Sequence, residues 1–556
     1  MGPLIVQSDR TVMLELDHPE AEAARHDLGS FAELERAPEH IHTYRITRLG
    51  LWNAQAAGMT RDDVVGILER YAKFPVPSAV EREITDAMRR FGVLRIVRRD
   101  GHLLLRSDDP AVLIEISQNK KIAELLGVRI DQHTWEVGDW ARGQLKQQLL
   151  RRGWPAADDA GYTPGEPFPI QLAEDGWSMR PYQREAVARF VEHGSGVVVL
   201  PCGAGKTIVG AGAMAAVGRK TLILVTNTVA ARQWRAELLA RTSLTPDDIG
   251  EYSGEQKNIA PVTIATYQIL TSRRGSKYAH LGVLDAQDWG LIVYDEVHLL
   301  PAPVFKLTAD LQTRLRLGLT ATLVREDGRE TDVFSLIGPK RYDVPWKDIE
   351  SMGFIAPAVC REVRVELTEN ERLEYAALGD QDRYRYAATC PAKLGVVRRL
   401  VERHRNDQVL VIAQYLDQID EVAAALQAPV VTGRTPTAER EELFERFRQR
   451  ELHVLVVSKV ANFSVDLPEA RVAIQISGSY GSRQEEAQRL GRILRPKEDG
   501  GSATFYSVVA RDTIEQDFAL NRQRFLAEQG YGYQIVDADE LDATPASDPT
   551  STVAAS

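Results

Sequence analysis

The stretch VVVLPCGAGKT, residues 197–207, reads as a short buried strand running into a phosphate loop. Val197 to Leu200 form an apolar run of strand length, and a breaker cluster follows at once. Gly205, Lys206 and Thr207 fit the end of the pattern G-x-x-x-x-G-K-[ST], although Leu200 stands where the strict form opens with glycine. Gly203 and Gly205, flanking Ala204, let the backbone curl so that its N–H groups face a phosphate. The helix that starts after them adds its positive end. Lys206 is expected to meet the β- and γ-phosphates and Thr207 to hold Mg²⁺ through its hydroxyl, so ATP and Mg²⁺ are the expected ligands.

Just upstream, Arg180, Pro181, Tyr182 and Gln183 open a helix, YQREAVARFVEHG. Arg180 and Gln183 are candidates for adenine recognition, since a carboxamide both donates to and accepts from a base edge. Downstream, LIVYDEVHLL places a buried strand before Asp295, Glu296 and His298. Asp295 is expected to hold Mg²⁺ and Glu296 to polarise the attacking water. His298 is placed to sense the nucleotide and report onward. In RLRLGLTATLVREDG, Thr320 and Thr322 end a strand and can link hydrolysis to track contacts; the triplet Arg325, Glu326, Asp327 follows. An ordinary charged turn is the alternative for that triplet. In SRQEEAQRLGRILRP, Gln488, Arg489, Arg492 and Arg495 lie mostly three or four apart around a helix. Arg489 and Arg492 suit an arginine finger that neutralises transition-state charge, against the alternative of a salt-bridged helix face.

With 556 residues the chain is too long for one hydrophobic core, and several domains are expected. A charged content of 26% with net charge −11 argues against a uniformly basic nucleic-acid coat but leaves room for a local basic groove. Cys202, Cys360 and Cys390 are far apart and form no C-x-x-C pair, which suggests a reducing compartment and no structural zinc. No secretory pattern or membrane-length apolar stretch is read, so a cytoplasmic location without membrane contact is the default.

In residues 1–107, PLIVQSDRTVMLELD suggests two strands around a polar turn, and Ala32–Glu35 a brief helical piece. Three helices then precede a hairpin closed by Asp100–Gly101, the order of a winged-helix module. A packing or protein-binding domain with a solvated charged face fits the same residues. Residues 108–155 read as a small α/β unit: AVLIEISQ as strand, NKKIAELLG as helix, two short strands, and a helix carrying Arg142, Lys146, Arg151 and Arg152 on a solvated face. Residues 156–176 read as a linker.

The first motor domain is expected at 177–350 and the second at 351–535, each a parallel α/β sheet, with a disordered tail at 536–556. Thr228, Arg232 and Thr266 lie after strands of the first, where open parallel sheets place ligands, and are candidate contacts to a nucleic-acid backbone. In the second, Tyr384 and Arg385 belong to an aromatic and basic stretch, about 370–390, that can project as a grip on DNA. Asp466 lies in a loop between two strands.

The GKT loop, DEVH strand end, TAT strand end and QRLGRILR helix, in that order, resemble a superfamily 2 helicase with two tandem RecA-like lobes and ATP in the cleft. More narrowly, the chain resembles XPB-type DNA repair helicases through Arg325-Glu326-Asp327 after TAT, DLPEA at 466–470, ISGSYGSRQEEAQRLGRILRP at 476–496 and PLIVQSDRTVMLELDHPEAEAARH at the N-terminus. The resemblance implies an ATP-driven, 3′→5′ DNA helicase or translocase acting as a monomeric motor on single-stranded or forked DNA. It also implies a thumb-like insertion near 370–390, a damage-recognition-like N-terminal domain and a role for the charged triplet in unwinding, and it admits a repair nuclease as partner. One departure is Ala461-Asn462, where family members often carry Gly-Asp before the Ser-x-Asp of that loop; coupling there is expected to differ while hydrolysis survives. A duplex translocase that opens no strands, or an RNA-dependent ATPase, has the same ATP site.

Overall fold

The computed structural model describes residues 2–37, 40–201, 203–274, 277–300, 311–312, 314–321, 330–344, 348–349, 352, 358–458, 470–478, 503–528 and 533–541. The chain divides into two compact units: Met1–Glu33, Thr43–Leu200 and Gly205–Val344 in one, and Leu34–His42, Pro201–Ala204 and Pro345–Ser556 in the other.

At the N-terminus β1 (Leu4–Val6), β2 (Thr11–Glu15), β3 (Ala32–Arg36) and β4 (Ile41–Ile46) form a four-stranded sheet in the order β1-β2-β4-β3. The expected helical piece at Ala32–Glu35 is therefore a strand. Ala32 and Leu34 are buried and Glu33 is exposed, a period of two, and so few residues cannot hold a helix alone. Three helices follow, Arg48–Ala56, Arg61–Tyr71 and Ser78–Arg90. The second starts at a reciprocal cap in which Thr60 and Asp63 satisfy each other's backbone N–H groups. The hairpin of β5 (Leu94–Arg99) and β6 (His102–Ser107) turns through Asp100 and Gly101, both at positive φ, as a two-residue hairpin turn requires.

The segment AVLIEISQ, expected as strand, is instead the helix Pro110–Ser117. Asp109 caps it by accepting from the Ala111 N–H at 2.9 Å, and Pro110 occupies the first turn, where its missing donor costs nothing. The sheet is completed by β7 (Leu126–Asp131), β8 (Thr134–Val137) and β9 (Ala156–Asp159), in the order β7-β8-β6-β5-β9. The hairpin and the residues after it thus share one sheet and one core, in which Leu94, Ile96 and Leu105 meet Val112, Leu145 and Leu149.

The helix Arg142–Arg151 also departs from expectation, because Arg142 and Lys146 are buried rather than solvated. Asp158 is the reason: it accepts from Arg142 Nη2 and from Lys146 Nζ, each at 2.8 Å. Lys146 also donates to Gln312 Oε1 at 2.9 Å, and Gln147 to Asp332 Oδ1 at 3.0 Å. The Gln147 bond docks this helix onto the helix Glu330–Leu336, and the Lys146–Gln312 bond ties it to the segment before the strand Leu315–Thr320.

The first large sheet contains β10 (Ser195–Val199), β11 (Thr221–Val225), β12 (Ile249–Tyr252) and β13 (Val262–Thr266). A small separate ribbon, β14 (Arg273–Arg274) and β15 (Lys277–Tyr278), precedes β16 (Leu291–Asp295), β17 (Leu315–Thr320) and β18 (Lys340–Asp343). The order is β12-β13-β11-β16-β17-β10-β18, with every neighbouring pair parallel. Strand β10 lies beside β17 and β17 beside β16, so Lys206, Thr320 and Asp295 all stand at the carboxyl edge of one sheet. Fully buried residues such as Val197, Leu222 and Ile292 fill its core.

The second unit holds β19 (Ala358–Val365), β20 (Val409–Ala413), β21 (Val430–Val431), β22 (Val454–Ser458), β23 (Val472–Gln475), β24 (Ala503–Ala510) and β25 (Tyr533–Asp537). Their order is β21-β22-β20-β23-β24-β19-β25, again parallel throughout. Two parallel sheets and a smaller N-terminal α/β region make a tandem RecA-like α/β fold.

Candidate active site

Gly205 is at φ +81° and caps the helix Lys206–Val217, in a backbone state that glycine adopts without strain. A Cβ there would lie 2.5 Å from Gln183 Nε2, so the Gln183 carboxamide packs directly against the loop. Gly203 is likewise at φ +81°. Lys206 and Thr207 occupy the first helical turn and Ala204 is buried beside them.

Lys206 Nζ lies 3.1 Å from Glu296 Oε1, so the loop and the acidic strand end converge. Glu296 is at φ +48°, a strained state for a residue with a side chain, and this kink turns its carboxylate toward the lysine. His298 Nδ1 is 3.5 Å from Glu296 Oε2 and 2.5 Å from Thr320 Oγ1, which connects three strand ends in one contact chain. Burial pushes the Asp295 carboxyl up to about 6, and the neighbouring Glu296 charge adds to the rise. For Glu296 burial acts in the same direction, but Lys206 and then His298 outweigh it and hold the carboxyl below its ordinary value.

Asp295 is held from two further elements. Trp234 Nε1 donates to Asp295 Oδ2 at 2.8 Å, and Tyr267 Oη donates to the Asp295 carbonyl at 2.8 Å. Neither role was foreseen in the sequence. The available signal was a Trp and a Tyr on buried helix faces, whose polar ends need an acceptor.

Three family models match the chain: the ERCC3/RAD25/XPB C-terminal helicase at residues 349–549, the helicase conserved C-terminal domain at 4–131, and the type III restriction enzyme res subunit at 176–325. The DNA 3′-5′ helicase XPB of Kineococcus radiotolerans is 63% identical over 542 residues, which cover 97% of this chain and 97% of the relative. That of Mycobacterium tuberculosis is 62% identical, covering 97% of this chain and 98% of the relative. The chain belongs to the XPB family of superfamily 2 DNA helicases. The putative DNA 3′-5′ helicase Rad25 of Halobacterium salinarum is 38% identical, over 88% of this chain and 79% of the relative.

Within this XPB-type frame, the adenine candidates pack closely. Gln183 is buried and its Oε1 accepts from the Arg180 N–H at 2.9 Å, while Arg180 Nη1 donates to the Tyr182 hydroxyl at 3.0 Å. Of the candidate nucleic-acid contacts, Arg232 is exposed and pairs with Glu255 at 2.9 Å, and Thr228 opens its helix half-buried. Thr266 is buried, its hydroxyl accepting from the Ile269 N–H, and Gln268 is the exposed polar group next to it.

Tyr384 requires a correction: it is fully buried, sits edge-on to Phe518 at 5.1 Å and donates to the Gly478 carbonyl. It is a core residue and not a projecting grip. Arg385 beside it is exposed and pairs with Asp417 at 2.8 Å. Thr322, Arg325, Glu326, Asp327, Asp466, Gln488, Arg489 and Arg492 lie outside the described residues, as does the Ala461-Asn462 pair.

Proposed function

We infer that this chain is an ATP-dependent DNA helicase with 3′→5′ polarity that couples hydrolysis to translocation and strand separation in DNA repair. The observation that carries the reading is the 3.1 Å contact between Lys206 and Glu296 in a chain of this family. A lysine held on a carboxylate at the mouth of a phosphate loop is a cation stored where a γ-phosphate will arrive. When ATP enters, Lys206 exchanges its carboxylate partner for phosphate oxygens, and Glu296 is freed to orient the attacking water. His298 and Thr320 lie on the path by which that exchange is felt one strand away.

The Thr207 hydroxyl and the Asp295 carboxylate are hard oxygen donors. One carboxylate plus substrate phosphates is the set that Mg²⁺ prefers, so these residues fit the ion. Mg²⁺ bound there would neutralise charge on the phosphates. Arg489 and Arg492 supply the positive charge the transition state needs, and Gln488 aids in positioning. Thr228, Arg232 and Arg385 serve the DNA track, single-stranded or forked, while the buried Thr266 caps the helix that presents Gln268.

The direct experiment is strand displacement on 3′-tailed, 5′-tailed and blunt DNA beside matched RNA. The 3′-tailed DNA should be opened in an ATP-dependent manner. ATP hydrolysis without displacement would indicate a duplex translocase, and preferential stimulation by RNA would overturn the assignment of DNA as the track.

A further inference from the structure

Asp295 is gripped by aromatic donors from two helices, and each helix follows a strand whose end carries a candidate nucleic-acid contact. Trp234 lies on Thr228–Arg241, two residues after the exposed Arg232, and its indole N–H reaches the Asp295 carboxylate at 2.8 Å. Tyr267 opens the helix Tyr267–Thr271, directly after Thr266 and beside the exposed Gln268, and its hydroxyl reaches the Asp295 carbonyl. Both rings are buried. The indole passes over the helix that follows the phosphate loop at Gly210, where a Cβ would stand 2.4 Å from Trp234 Cη2. One side chain therefore touches the phosphate-loop helix and the carboxylate of the DEVH strand while riding on the helix of Arg232.

We propose that Trp234, assisted by Tyr267, is a positioning residue that makes the orientation of the Asp295 carboxylate depend on the segments that grip DNA. The proposal rests on the reading of Asp295 as the residue that holds Mg²⁺. A rigid, buried indole transmits a shift of its helix to its hydrogen-bond partner, because a close-packed interior leaves no slack to absorb the movement. A hydrogen bond to a buried charged group is also among the stronger ones, so its loss should be measurable.

The test titrates Mg²⁺ against binding of fluorescent N-methylanthraniloyl-ADP by the full chain, with and without a single-stranded oligonucleotide. Trp234→Phe keeps an aromatic ring in the site and loses the N–H, together with the distal indole carbons that meet Gly210. It should raise the Mg²⁺ concentration at half-saturation by about tenfold while nucleotide affinity in EDTA stays within about twofold of wild type. DNA should lower the wild-type half-saturation point, and Trp234→Phe should lose that response. Tyr267→Phe removes a single hydroxyl and should weaken the same response, giving an independent arm if the tryptophan variant folds poorly.

An unchanged half-saturation point with the DNA response intact in both variants would overturn the proposal, as would a fall in EDTA affinity that matches the fall with Mg²⁺. Asp295→Asn separates the two levels of failure. If it too leaves the Mg²⁺ dependence unchanged, the reading of Asp295 is wrong; if it alone shifts the dependence, the reading stands and the aromatic coupling fails.

Discussion

Lys393 and Glu515, in the second unit, pair at 2.7 Å with side-chain exposures of 0% and 1%, while Lys206 and Glu296, in the first, pair at 3.1 Å with 11% and 15%. The residue types are identical and the surroundings are not. Lys393 also donates to the carbonyls of Ile476 and Val508, and Glu515 Oε2 accepts from the Ala510 N–H, so every strong bond of that pair is spent inside the protein. Lys206 meets Glu296 Oε1, on a backbone held at positive φ, and both side chains keep some exposure. A saturated buried pair holds strands β23 and β24 in place and has nothing to exchange. A partly exposed pair at a loop mouth can trade its carboxylate for a phosphate.

The contrast breaks if the two pairs respond alike to mutation. Lys206→Ala should lower ATP hydrolysis by about 10³-fold or more while the thermal transition moves by no more than about 2 °C; steady-state ATPase and calorimetry read the two together. Glu515→Gln leaves a buried lysine without its counter-charge at nearly constant volume. It should cost about 3–5 kcal/mol in urea unfolding of the second unit, with the phosphate loop untouched.

A third buried cluster sharpens the point. Asp158 serves both Arg142 and Lys146, and the fully buried Arg316 lies close enough to depress Lys146, so Asp158→Asn should cost about 3 kcal/mol in urea unfolding of the first unit. The smallest effect belongs to Lys146→Met. Burial brings the Lys146 ammonium down from 10.5 to about 8, so between those values the unfolded chain binds the extra proton. Stability from this group therefore rises as pH rises from 8 to 10.5. The methionine variant should stay within about 1 kcal/mol of wild type at pH 7 and flatten that slope.

The parts of the chain that were legible are those whose chemistry is local. The phosphate loop, the DEVH strand end and the Asp100–Gly101 hairpin each announce themselves within a dozen residues, through glycine placement, apolar runs or turn chemistry. The segment AVLIEISQ misled because eight mostly apolar residues look the same as buried strand or buried helix; the Asp109-Pro110 pair before it was the arbitrating signal. Arg142 and Lys146 read as solvated because charges seldom enter a core without a partner, and Asp158 is invisible to helical periodicity. Tyr384 reads as a surface residue because Arg383 and Arg385 flank it, although neighbours on a helix point in different directions. Trp234 and Tyr267 could not be tied to Asp295 at all, since their meeting depends on strand order in the finished sheet.

The most direct measurement is single-turnover ATP hydrolysis by Glu296→Gln in the presence of single-stranded DNA. With Lys206 intact, the variant should bind Mg²⁺–ATP about as tightly as wild type while hydrolysis falls by about 10³-fold. Turnover at the wild-type rate would contradict Glu296 as the group that orients the water, and with it the exchange of partners at Lys206.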